Sequence, residues 1–236
     1  MHIDSTELSR VAAAEGARFD MYTGIHKALR ALMADTLLAV GRMDADDDLE
    51  RAQVTGRVLQ LLDSCAGHLK HENDFVHAAI EARAPGASEA IAHEHDGHLR
   101  HIAALADRVG VLRNCAAPQR IAAAQDLYRE LALFIADNFQ HMHVEETAHN
   151  AVLWARYTDA ELVAVHDALI AAIPPEEMMG TVRWLVPFMN PLERSLMLAD
   201  VRAKAPAPAF EAMLQVVRPH LRAEEWDKLA RALALA

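Results

Sequence analysis

Thiols are scarce in this sequence: of 236 residues, only Cys65 and Cys115 are cysteines. Two cysteines without a CxxC spacing make neither a disulfide framework nor a thiolate zinc site, and they suit a reducing cytoplasm. Aromatic residues are only 5% and glycines number 9, while alanine and leucine abound, so helix is predicted throughout. No apolar run reaches the roughly 18 to 20 residues that cross a bilayer. The opening MHIDSTELSR lacks a charged and then apolar leader, so no signal peptide is expected. Basic residues are outnumbered 23 to 34 by acidic ones, giving a formal net charge of −11. That balance excludes partners held by phosphate charge, whether nucleic acid or anionic membrane. A zincin protease is excluded as well. HExxH fails at His71-Glu72, where Phe75 stands in the last position, and at His93-Glu94, where Gly97 does.

Histidine is what the chain has in surplus. It has 14, most of them between His26 and His166. Two segments echo each other, GHLKHENDFVH over 67–77 and QHMHVEETAH over 140–149. In each, a histidine precedes a glutamate by four residues: His68 with Glu72, His141 with Glu145. Residues four apart share a helix face, so each segment aims an imidazole and a carboxylate the same way. Two such helices facing each other can surround a metal pair, as in carboxylate-bridged di-iron bundles.

The periodicity predicts an all-α protein, with a first helix over about Asp20 to Val40. Its inward residues are Tyr22, His26, Leu29, Met33, Thr36 and Val40. A second helix is expected from about Leu49 to Arg83, with the seam Val54, Val58, Leu61, Cys65, His68, Glu72, Phe75 and Ala79. The third, from Ser88 to about Arg113, has the seam Ile91, His95, His98, Ile102, Leu105, Val109 and Leu112. The fourth follows Pro118 and runs to about Trp154, with the seam Leu127, Leu131, Phe134, Asn138, His141, Glu145, Ala148 and Val152. In an up-down four-helix bundle the polar interruptions of all four seams fall at one end. An unpaired buried carboxylate is very costly, so these positions call for partners. Thr6 to Ala17 is expected to form a short lead-in helix. Short helices are expected at about 176–186, 191–204, 208–217 and 222–235, after one capped at Thr158 to Glu161. The domains expected are a lead-in over 1–19, a bundle over 20–155, and a C-terminal helical extension over 156–236. That extension is expected to pack on the bundle or across a homodimer.

The candidate metal ligands are His26, His68, Glu72, His95, His98, His141 and Glu145. Glu146 competes with Glu145, and either His95 or His98 is expected to bind with the other in support. His71, His77, His93, His101, His143 and His149 lie off the seams and are expected at the surface or as supporting partners. Mixed imidazole and carboxylate donors suit iron or manganese.

The stretches IHKALR at His26, HLKHENDF, EHDGH and HMHVEE together resemble the hemerythrin-like, HHE cation-binding family over roughly residues 20–155. The resemblance implies a four-helix bundle with a non-haem di-iron centre, oxo- or hydroxo-bridged, with manganese or zinc as substitutes. It implies His26, His68, His95 or His98, and His141 as terminal ligands, and Glu72 and Glu145 as bridges. Family members with two histidines four apart on the third helix differ from this chain, which has Leu99 and Ile102 at those spacings. The implied function is binding, sensing or reducing O₂, NO or H₂O₂, and its enzymatic form would be a peroxide- or NO-consuming oxidoreductase. The alternative is an iron-binding regulatory module acting through the C-terminal helices.

Overall fold

Nine helices and no strand account for residues 18–235, which the computed structural model describes. The lead-in helix expected over Thr6 to Ala17 lies outside the described residues. Helix α1 is Thr23–Arg42. Helix α2 runs Asp48–His71, passes through a π turn at Glu72–His77, and ends with Ala78–Arg83. Helix α3 is Glu89–Asn114. Helix α4 runs Arg120–Val144, passes through a second π turn at Glu145–His149, and ends with Asn150–Arg156. The short helices are α5 Asp159–Ala172, α6 Pro175–Phe188, α7 Pro191–Lys204, α8 Ala207–Val217 and α9 Ala223–Ala232. Among the described residues no helix is long and apolar enough to cross a membrane.

The helix ends follow from local chemistry. The Asp47 carboxylate accepts from the backbone N–H groups of Leu49 and Glu50, and Asp48 and Glu50 place further negative charge at the start of α2. Pro85 stops α2, and Gly86 turns the chain at φ 82°, a left-handed conformation open to glycine. Pro118 lies in the 3₁₀ turn that leads into α4. The capping box read at Thr158 forms: Glu161 N–H donates to Thr158 Oγ1 at 3.3 Å, and Thr158 N–H donates to Glu161 Oε2 at 2.8 Å.

The chain divides into two compact units, one holding residues up to Thr23 with Leu32–Ala171, the other Gly24–Ala31 with the residues from Ala172 on. In the first, α2 packs along α3 and α3 along α4. Val58, Leu61, Leu105, Leu112, Leu127, Leu131 and Phe134 are fully buried there. Each such Leu or Phe contributes roughly 1.5–3 kcal/mol. A second cluster, Tyr22, Val76, Ile80, Leu153 and Leu162, closes the end that carries the π turns. The second unit has its own core of Val182, Val186, Leu198, Phe210, Met213, Val217 and Leu229. Its buried Arg194 donates to the carbonyls of Val186, Pro187 and Met189, capping the end of α6.

The seam read for α1 is buried at all six positions. In α4 the predicted seam is buried as far as Glu145, and in α2 it holds from Val58 to Glu72, with Thr55 buried in place of the half-exposed Val54. Beyond the glutamates the buried face shifts toward the next residue. Val76 and Ile80 are buried in α2 beside the predicted Ala79, while Phe75 is half-exposed. In α4, His149 and Leu153 are buried, and Ala148 and Val152 are half-exposed. The cause is the π turn, whose i→i+5 bonding inserts one residue into the helix and rotates everything after it.

Candidate metal centre

Glu72 and Glu145 each open a π turn, yet each backbone N–H still reaches back to the histidine one turn earlier, His68 or His141. That bond keeps histidine and glutamate on one face although the helix widens immediately beyond. The side chains meet accordingly. His68 Nε2 lies 3.1 Å from Glu72 Oε1, and His141 Nε2 lies 3.3 Å from Glu145 Oε1. His95 on α3 points into the same space, its Nε2 3.0 Å from His141 Nε2, 3.6 Å from Glu145 Oε1 and 3.7 Å from Glu72 Oε2.

Two groups of four potential ligands result. His26, His68, Glu72 and Glu145 offer one ligand atom each, all within 4.8 Å of one another. Glu72, His95, His141 and Glu145 do the same. Both glutamates belong to both groups, whereas Glu146 belongs to neither. His98 is buried with its ring edge-on to His141, centroids 4.6 Å apart, and is in neither group. Six of the seven side chains singled out in the sequence therefore converge.

The surroundings hold these rings in place. His95 Nδ1 lies 2.8 Å from Asn73 Oδ1, and His141 Nδ1 lies 3.0 Å from Glu94 Oε2. Such contacts fix tautomer and orientation and raise ligand basicity. Neither Asn73 nor Glu94 stands out in the sequence, because each is recognised only by what it faces. Burial alone would lower the pKa of His141, but its contacts with Glu145 and Glu94 raise it to about 9. Burial and the neighbouring Glu72 push the Glu145 carboxyl up, and hydrogen bonds from His141 and His95 more than offset them, leaving it below its ordinary value. His98 is pulled down to about 4 by burial and by the neighbouring His141 and His95.

These donors fit a cation. Glu72 and Glu145 are both buried, and each offers an oxygen within 4.8 Å of the other. Two carboxylates cannot both ionise at that distance in a dry interior without positive charge between them. The Nε2 atoms of His68, His95 and His141 lie 3.1–3.7 Å from their oxygens.

His77 and His149 were expected off the seams, and the structure corrects this: both are buried and lie beside Glu145, forming with it a third group of potential ligand atoms within 4.8 Å. A regular helix turns a residue five places after Glu72 well away from it, but the π turn stacks them. The available signal was the histidine that follows the glutamate in both echoing segments. Tyr22, expected to face inward from the first helix, places its hydroxyl 3.2 Å from His149 Nδ1.

Fold and donors together define a helical protein with a cluster of buried histidines and glutamates able to bind cations. The family model described as hemerythrin HHE cation binding domain matches residues 18–150, and the chain belongs to that family. No curated protein and no solved structure matches the chain.

Proposed function

We propose that the site holds a non-haem pair of iron ions and serves to bind, sense or reduce a small ligand such as O₂, NO or H₂O₂. His26 and His68 would hold one ion, His95 and His141 the other, with Glu72 and Glu145 shared between them. One observation carries this reading: two four-residue groups, each with two imidazoles, have the same two glutamates in common.

When bound, such a pair supplies redox chemistry and coordination positions open to a small ligand. The chain's own residues do the rest. Glu72 and Glu145, both buried, balance positive charge in the interior. Asn73 and Glu94 aim Nε2 of His95 and His141 inward by holding their Nδ1 atoms. Burial and the nearby Glu145 and Glu72 raise the Tyr22 pKa well above its ordinary value, so the phenol keeps its proton beside His149.

The test is elemental analysis of the full chain, with an optical spectrum in air before and after azide. The expected result is about two irons per chain, with near-ultraviolet charge-transfer absorption that azide shifts. One ion or none after anaerobic iron loading overturns the pair and favours a single-metal regulator.

A further inference from the structure

The two π turns do the same thing in two helices. Each begins at a shared glutamate and ends at a histidine, Glu72 to His77 in α2 and Glu145 to His149 in α4. The histidines at the ends of these turns are 5% and 2% exposed, and their rings meet edge to face with centroids 5.3 Å apart. His77 also stacks on His95 at 4.8 Å and 18° between ring planes, so its position is confined from two sides.

Two features mark these rings as more than core filling. Neither nitrogen of His77 has a hydrogen-bond partner among the described residues, although both are buried. A buried polar ring ordinarily finds one. His149, in turn, is held as His95 and His141 are. Its Nδ1 faces the Tyr22 hydroxyl, as theirs face Asn73 and Glu94. With Nδ1 so engaged, Nε2 is the ring atom left to act as a donor, which is how metal-binding histidines are arranged.

We propose that His77, His149 and Glu145 form a third cation position, for a divalent first-row transition ion held by two imidazoles and one carboxylate. It rests on the reading of the metal pair in one respect: Glu145 is common to both. Sharing that carboxylate makes the third ion the most weakly held, and the first that a chelator removes. Imidazole with carboxylate suits zinc, iron(II) or cobalt(II) ahead of calcium or magnesium, which take oxygen donors.

Equilibrium dialysis of the full chain against Co²⁺, read by metal content and by d–d absorption, tests this. Wild type should saturate at about three ions per chain, and His77→Phe and His149→Phe at about two, with the weakest class missing. Tyr22→Phe should keep the third ion but weaken it roughly ten-fold or more, as loss of a supporting partner does. Saturation of wild type at two ions, with the histidine variants matching it, overturns the third position and leaves the pair intact. Fewer than two ions in wild type overturns the pair instead. In that event Glu72→Gln, which lies outside the third group, still decides. An ion retained by this variant and lost on adding His77→Phe supports the proposal, and no difference between the two defeats it.

Discussion

Glu72 shows what a single buried residue can reveal. It belongs to two ligand groups and lies beside a second carboxylate, Glu145. Its replacement by alanine should cut bound metal by half or more and lower the melting temperature of the metal-loaded protein. The metal-free form should melt no lower than wild type, because a repulsion between buried carboxylates has been removed. Calorimetry with and without metal checks both halves, and a fall in the metal-free form would contradict the repulsion. Glu94 acts at one remove, through His141 Nδ1. Glu94→Gln should leave the number of ions at saturation unchanged while weakening affinity roughly 10- to 100-fold, measurable by competition with a chelator.

At the scale of the helix, the sequence's periodicity carried the fold a long way. The α1 seam, the α4 seam up to Glu145 and the α2 seam from Val58 to Glu72 are where the pattern placed them, because apolar spacing at 3.6 residues records which face is inward. Beyond Glu72 and Glu145 that rule fails, since nothing in local propensity announces an extra residue per turn. The failure took His77, five residues after Glu72, off the expected face, whereas His149, four after Glu145, shares the glutamate's face in either geometry. Val152, expected fully inward, is only partly buried against the cluster that holds Leu153. Paired substitutions test the corrected register. Leu153→Ala should cost about 2–5 kcal/mol, and Val152→Ala, half-exposed, should cost well under half as much, by urea denaturation. In the second unit, Arg194→Ala removes three hydrogen bonds to the end of α6. It should cost roughly 2–4 kcal/mol, since each bond to a charged donor is worth about 1.5–3 and partly replaced by water.

Over the whole molecule, the buried histidines set how stability follows pH once metal is removed. His141, raised to about 9 by its carboxylates against the pull of burial, stabilises the fold fully below its unfolded value of 6.5 and loses that contribution as pH rises through 9. His77 and His98, lowered to about 4 chiefly by burial, work the other way. Their contribution is present above 6.5 and is lost as pH falls through 4. Each shift is worth on the order of 3 kcal/mol. The metal-free protein should therefore melt highest near pH 6.5 and lower on either side. Bound cation needs His141 unprotonated, so loading should move that maximum to higher pH, as scanning calorimetry from pH 4 to 10 will register. The π turns also leave a mark on any comparison with a bundle of regular helices. Each helix carries one residue more than its regular counterpart, immediately after the glutamate. Lining this chain up with a bundle built of regular helices requires a single-residue gap inside a helix, twice, where gaps are ordinarily disallowed. Without those gaps every position from Val76 to Arg83 and from His149 to Arg156 is paired with its neighbour's counterpart, and buried residues are read as exposed.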